Sequence, residues 1–374
     1  MNDTSSGHEV GRAARPGRRA AVDEACERRV DLVCEGGGVR GIALVGALSL
    51  LEERGYQPHN VAGTSAGAIV ATLLTAGYTT ADLADIIARL DFNRFKQPDW
   101  EDRIPLVGKG LSVFTDQGMY DGEFLLAWMR GLLAAKGVHT FRDLVRTPAS
   151  DDPRYRYRVQ VVASDITARR LLVLPRDADA LGIAPDDLDV ALAVRMSMSI
   201  PIFFKPVRLR HPATGQEHLI VDGGVLSNFP IWLFDSVGEP KWPTFGLRLI
   251  PPEPRQPLAA PHVPAERHHP GVHEAVHYTR SLIETMLEAH DRLYLERESF
   301  ARTIAIPTLG VHATDFGLSR EQQRALYESG RAAAAAFLET WSFPGYLAAF
   351  RRGQRRSRRQ EIAEQMRLAA ASAT

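Results

Sequence analysis

Val30-Asp31-Leu32-Val33-Cys34-Glu35-Gly36-Gly37-Gly38-Val39-Arg40-Gly41 decides how this chain begins to fold. Val30 to Cys34 is a short, mostly apolar run, the pattern of a buried strand. Three consecutive glycines break it. From Val39 to Arg54 the pattern turns helical, because Ile42, Leu44, Val45, Leu48 and Leu51 recur at spacings close to three and four. Gly55 stands where a helix C-terminal glycine belongs. The same order then recurs. Val61-Ala62-Gly63 reads as a very short strand, and Ala66 to Ala76 as a second helix stopped by Gly77. Strand, turn, helix, twice in succession, is how a parallel α/β sheet starts.

Further along, Ala81 to Leu90 is a predicted helix with Thr80 as its N-cap. Residues 92–115 are irregular. Pro98, Pro105, Gly108 and Gly110 interrupt them, while Phe92, Phe95, Trp100, Leu106, Leu111 and Phe114 keep them apolar. Such a stretch reads as a lid or substrate-facing insertion, or as a plain capping segment that only packs. Helices are expected at Phe124–Ala135, Leu188–Ser197, His273–Glu298 and Arg320–Trp341. Strands are expected at Arg156–Ser164, Leu171–Leu174 and Leu219–Val221, with Thr244–Leu249 as the last clear one. Pro251 to Val272, rich in Pro and His, reads as a loop. No internal repeat is visible.

Composition sets the outer limits. The 374 residues suit one large α/β domain with tails. Lys+Arg 45 against Asp+Glu 45 leaves no net charge, which argues against a dedicated nucleic-acid binder. Cys26 and Cys34 lie eight apart, the second ending a strand-like run, so no disulfide framework is expected. A reducing, cytoplasmic setting follows. The longest mostly apolar stretch, Ile42–Leu51, has ten residues where a membrane span needs about 20. Residues 1–29 are polar and Arg-rich without an apolar core, and read as a disordered lead rather than a signal peptide. Residues 30–343 are expected to form the folded domain. Residues 344–374 read as a basic, weakly helical tail carrying Arg351, Arg352, Arg355, Arg356, Arg358 and Arg359. That cluster is either simply solvated or a peripheral contact with anionic headgroups.

Three elements carry chemistry. Gly63-Thr64-Ser65-Ala66-Gly67 is Gly-x-Ser-x-Gly between a strand and a helix. There the turn is so sharp that the serine backbone is strained, and the flanking glycines avoid a clash. Ser65 is thereby presented at a helix N-terminus, which favours a developing anion. Gly36 to Gly41 is a glycine turn whose N–H groups suit a phosphate or an oxyanion. Its Gly-x-Gly-x-x-Gly spacing also fits a dinucleotide turn, but that reading needs an acidic residue after the second strand, where Gly63-Thr64-Ser65 stands instead. The third element is Asp222-Gly223-Gly224, just after a strand. As the base for Ser65, a histidine after the acid is open, since His262, His268, His269, His273, His277, His290 and His312 all follow Asp222. So is the Asp222 carboxylate itself.

Taken in order, these elements resemble the patatin-like phospholipase family over roughly Val30 to Trp341. Gly118-Met119-Tyr120-Asp121-Gly122, Ala163-Ser164-Asp165, and Ala193 to Val207 with Ser197, Ser199, Pro201 and Phe203 are similar to the family too. The resemblance implies a three-layer α/β fold with a mostly parallel sheet flanked by helices. It implies a Ser-Asp dyad without histidine: Ser65 as nucleophile and Asp222 as general base. The N–H groups of Gly37 and Gly38 would form the oxyanion hole, with Gly36 shaping it. Arg40, Gly41, Gly63, Gly67, Gly223 and Gly224 would support the motifs. Glu35 stands where many members have Asp, and Ser164 where many have Thr. The implied activity is hydrolysis of fatty-acyl esters of phospholipids or lysophospholipids. No cofactor or metal is expected, and no segment has calcium-loop spacing. A soluble acylesterase, thioesterase or transacylase with the same dyad is the alternative. A phospholipase effector that waits for a ligand or protein partner is another, and nothing in the sequence names that partner.

Overall fold

The computed structural model of the chain describes residues 28–90, 122–146, 152–201, 203–236, 238–251, 297–315 and 317–352. Several expectations lie outside these residues: the lead up to residue 27, the stretch 92–115, Gly118–Asp121, the helix from His273 to residue 296, the six histidines from His262 to His290, and the arginines from Arg355 to Arg359.

In chain order the elements are β1 (Arg29–Cys34), α1 (Gly41–Glu53), β2 (Gln57–Thr64), α2 (Ala66–Thr75), α3 (Thr80–Ala88), α4 (Gly122–Ala134), β3 (Val159–Asp165), β4 (Arg170–Leu174), α5 (Val190–Ser197), β5 (Val207–Arg210), β6 (Glu217–Asp222), β7 (Thr244–Ile250), α6 (Arg297–Ala301), β8 (Thr303–Pro307), α7 (Arg320–Thr340) and α8 (Phe343–Tyr346). The strands form one mixed, mostly parallel sheet. β1 is flanked by β2 and β7, β2 continues to β3, and β7 to β8, all in parallel. β4, β6 and β5 join antiparallel.

The registers on β3 position everything that matters. One edge of β3 pairs with β4 from Val161 to Asp165. The other edge is shared by two strands. β2 runs alongside its first half and ends at Thr64, opposite Val162. β6 arrives from the other direction and ends at Asp222, opposite Ala163. The carboxyl ends of β2 and β6 therefore meet head to head on adjacent residues of one strand.

Alternation along the strands feeds two cores. Leu32, Cys34, Val61 and Val161 face one side with α1, α2, α5 and α7. Val33, Ala62 and Val162 face the other, which Phe229, Ile231, Leu233 and Phe234 cover. α1 is buried from Gly41 to Leu51 on every face, because α7 lies across its outer side. Each Leu or Val so buried contributes about 1.5–3 kcal/mol. Cys34 is buried at the end of β1, where its thiol is pushed up to about 12 by desolvation and is chemically quiet.

Several boundaries differ from expectation, for physical reasons. The N-cap of α3 is Thr79, not Thr80. Thr79 accepts from the Asp82 N–H, and the Asp82 side chain accepts from the Thr79 N–H in return. Thr80 instead donates its hydroxyl to Glu52. Thr244–Leu249 is not the last strand. Thr303–Pro307 adds an edge strand whose ending in proline hides its character. Val207–Arg210 is another edge strand, with alternating arginines facing water.

The chain also stays folded past Pro344. Tyr346 is buried, and its hydroxyl donates to Glu298 at 3.0 Å. Arg351, expected on the basic tail either solvated or against anionic headgroups, is 3% exposed. Its guanidinium pairs with Glu298 at 2.8 Å and donates to the carbonyl of Gly238 at 2.7 Å and to that of Ser236. Removing one member of a buried pair strands the other. Arg351→Ala should therefore lower the unfolding free energy by about 3–5 kcal/mol in urea melts. A loss under about 1 kcal/mol would mean that the pair holds nothing together.

Candidate active site

Ser65 occupies the turn between β2 and α2 with φ 53°, ψ −125°. A non-glycine residue in that region is strained, and the strain persists only where neighbours over-determine it. Two neighbours do so. The Ser65 N–H donates to Ser197 Oγ at 2.8 Å. That hydroxyl in turn donates to the Val162 carbonyl at 2.6 Å. Gly67 lets α2 begin against the end of β1, since a Cβ there would lie 2.3 Å from the Cys34 carbonyl oxygen. Gly63 sits at the end of β2 against the first turn of α2, and Gly41 opens α1 against Ala66.

Asp222 ends β6, fully buried. Its N–H donates to the Ser199 carbonyl at 2.9 Å, and its Oδ1 accepts from the Gly224 N–H at 2.8 Å. Gly223 packs against the Val162 carbonyl. The second carboxylate oxygen, Oδ2, has no hydrogen-bond partner. Burial pushes the Asp222 carboxyl up to about 7, opposed by its interactions with the Ser65 side chain and the Gly224 N–H. In this arrangement the Ser65 hydroxyl is turned to the Met198 sulfur at 3.5 Å.

One three-residue segment thus governs both groups. Ser197 holds the Ser65 backbone, Met198 lies against its hydroxyl, and Ser199 holds Asp222. The sequence marked this segment only by resemblance. Nothing in its composition announces that a hydroxyl there fixes the serine turn.

The glycine turn lies alongside. Gly38 has φ 55°, and a Cβ on it would lie 2.0 Å from the Ala313 carbonyl oxygen, so both conformation and contact require glycine. The Gly36 N–H is engaged, donating to the Asn228 carbonyl at 3.2 Å. The Gly37 and Gly38 N–H groups donate to no acceptor among the described residues. Of the three glycines expected at an oxyanion hole, these two have N–H groups to offer. Arg40 is buried, its Nε donating to the Gly37 carbonyl at 3.2 Å. Glu35 accepts from the Leu249 N–H and faces Arg248 at 3.8 Å.

No histidine within the described residues hydrogen-bonds Ser65 or Asp222. His218 is committed elsewhere, its Nδ1 lying 2.8 Å from Asp165 Oδ2 between β3 and β6. His312 lies on the turn before Asp315. Among the described residues no cluster of three His, Cys, Asp or Glu has a metal-holding arrangement. No helix among them is long and apolar enough to cross a membrane.

A serine on a strained turn, a buried carboxyl with one free oxygen, and two unpartnered N–H groups are the parts of serine-based acyl transfer. The family model described as Patatin-like phospholipase matches residues 32–235. The chain is 38% identical over 315 residues to the uncharacterized protein YqhO of Bacillus subtilis, covering 84% of this chain and 99% of that one. It is 29% identical over 216 residues to Triacylglycerol lipase 4 of Saccharomyces cerevisiae, covering 54% of this chain but only 22% of the yeast protein. The crystal structure of VipD from Legionella pneumophila superposes with a TM-score of 0.50 at 16% identity, covering 84% of this chain and 67% of VipD, a likeness of fold alone. The chain belongs to the patatin-like phospholipase family, and its three-layer α/β fold is that family's.

Ser197→Ala should cost about 1–3 kcal/mol of stability, because it leaves the buried Ser65 N–H and Val162 carbonyl unpaired. Thermal melts check this. A variant as stable as the native chain would mean that the turn holds its strain without Ser197.

Proposed function

We propose that the chain hydrolyses fatty-acyl esters of phospholipids or lysophospholipids through an acyl-Ser65 intermediate, with Asp222 as general base. The observation that carries this reading is the meeting of β2 and β6 on β3, which brings Ser65 beside the unpartnered Oδ2 of Asp222. Family membership supports lipid as the substrate class.

The ester carbonyl binds with its oxygen at the Gly37 and Gly38 N–H groups. Ser65 Oγ attacks the carbonyl carbon as its proton passes to Asp222 Oδ2. The tetrahedral oxyanion is held by the two N–H groups, each contributing about 2.7–4 kcal/mol by the measure of other oxyanion donors. The oxyanion collapses, and the alcohol or lysolipid leaves with the proton from Asp222. Water, deprotonated by the same carboxylate, then releases the fatty acid and restores Ser65. Every step uses groups of the chain itself, so fatty-acid release should persist in excess chelator.

A carboxyl poised near 7 suits a general base at neutral pH. Only its ionised form accepts the proton. Activity on a soluble ester should therefore fall as pH drops through about 7. A kcat/KM profile with its acid limb near 4 would contradict the assignment of Asp222. The same burial costs stability once the carboxyl ionises. The folded state resists ionisation while the unfolded chain loses its proton near 3.8, so the cost grows from about pH 4 to about pH 7. Asp222→Asn removes it. That variant should match the native chain at pH 4, exceed it in stability at pH 8, and be inactive at both.

The direct test is labelling with a fluorescent phosphonate, followed by fatty-acid release from mixed phospholipid vesicles, beside Ser65→Ala. Labelling of the native chain alone, with release, supports the whole reading. Labelling without release moves the reading to small esters, thioesters or a missing activator. Equal labelling of Ser65→Ala overturns the serine chemistry.

A further inference from the structure

The two peptide units that present free N–H groups do not aim themselves. A trans peptide carries its N–H opposite its own carbonyl, so whatever holds the carbonyl sets the direction of the N–H. The Gly37 N–H belongs to the peptide whose carbonyl is Gly36. The Gly38 N–H belongs to the peptide whose carbonyl is Gly37. Each carbonyl has a side-chain donor. Arg40 Nε reaches the Gly37 oxygen at 3.2 Å. Asn228 Nδ2 reaches the Gly36 oxygen at 3.0 Å.

We propose that Asn228 is a positioning residue of the oxyanion hole, which holds the Gly36–Gly37 peptide so that the Gly37 N–H faces the reacting carbonyl. The proposal rests on the serine reading above.

The contact is reciprocal. The Gly36 N–H donates to the Asn228 carbonyl at 3.2 Å while Asn228 Nδ2 donates to the Gly36 carbonyl. Both groups of Gly36 are thus bound to one residue, and its peptide planes on either side are fixed. Asn228 is 6% exposed, so water does not compete for its amide. A carbonyl oxygen only accepts, so the amide must turn its nitrogen to Gly36. The fit is close: a Cβ on Gly36 would lie 2.1 Å from Asn228 Oδ1. Donation into the Gly36 carbonyl also polarises the peptide, which strengthens its N–H as a donor on the far side.

Asn228 has a second consequence. It lies six residues after Asp222, on the turn that follows the base. The preceding residue, Ser227, offers its carbonyl to Thr64 Oγ1 at 3.4 Å, one residue before Ser65. The segment that begins with the base therefore touches the nucleophile strand at Ser227 and the oxyanion turn at Asn228. Base and hole are held at a set separation by one short stretch of chain.

The test uses the full chain, with a p-nitrophenyl ester as substrate so that no lipid surface enters the kinetics. Asn228→Ala should lower kcat roughly 10–100-fold with KM within about twofold. The acid limb should stay where it lies in the native chain, because Asp222 is untouched. A trifluoromethyl ketone, whose adduct with Ser65 carries the tetrahedral oxyanion, should bind weaker by the same factor as kcat. Asn228→Asp keeps the shape but turns an acceptor to the Gly36 oxygen, and should lose at least as much. Native kcat in either folded variant overturns the proposal. So does a loss that appears as a raised KM or a displaced acid limb. If neither variant folds, the native chain decides: the Gly37 and Gly38 amide protons should move downfield together when the ketone adduct forms, and movement of Gly38 alone overturns it. Failure of the underlying reading looks different. There, Ser65→Ala retains native turnover, whereas an inactive Ser65→Ala beside fully active Asn228 variants sinks only the role of Asn228.

Discussion

The pairing of two strands with one edge of β3 is the constraint from which the rest of the site follows. Val162 takes Thr64 from one direction and Ala163 takes Asp222 from the other. Neighbouring residues on a strand are about 3.3 Å apart along its axis, so the two chain ends are brought together by sheet hydrogen bonds rather than by loops. Sheet registers resist slippage wherever both faces are buried, and here two separate cores hold them. Ser65 and Asp222 thus inherit the rigidity of the sheet.

What the site contains would be unfavourable elsewhere. Ser65 sits in a backbone region that costs about 1–3 kcal/mol. Asp222 is wholly buried with one oxygen unpaired. Such features last only where their surroundings leave no alternative. Ser197, Ser199 and Gly224 each hold a backbone or carboxyl group of these two residues in place. The Asp165–His218 contact ties the start of β6 to the end of β3 from further back. Among the described residues, Asp222 Oδ2 and the Gly37 and Gly38 N–H groups are left without hydrogen-bond partners.

Much of this was legible in the residues. Glycine turns between strand and helix carry their reason in the sequence, since crowding at Gly67 or a left-handed Gly38 leaves no choice of residue. Ser65 and Asp222 were legible because their motifs lie at strand ends, where a parallel sheet presents side chains. β5 and β8 were not. Edge strands have one unpaired side and need no long apolar run, so Val207–Arg210 reads as charged surface and Thr303–Pro307 as a loop. Ser197 and Asn228 act by hydrogen bonds to the backbone of Ser65 and Gly36, each more than a hundred positions away. A serine and an asparagine that do so look like any other polar residue of a turn. Arg351 misled for the opposite reason, because its neighbours in sequence are basic and its partner, Glu298, lies across the fold.

The placement of Arg351 bears on how the molecule is made. A ribosome delivers residues in order, so Ser65, the Gly36–Gly38 turn, Asp222 and Asn228 have all emerged while β7, β8, α7 and Arg351 are still to come. Until β7 arrives, β1 has an open edge at the centre of the future sheet. Until α7 arrives, the outer side of α1 faces solvent. Until Arg351 arrives, the carbonyls of Ser236 and Gly238, a few residues beyond Asn228, lack the guanidinium that binds them. Ser65, the glycine turn and Asp222 are thus present in a nascent chain before β7, β8, α7 and Arg351 can close the structure around them.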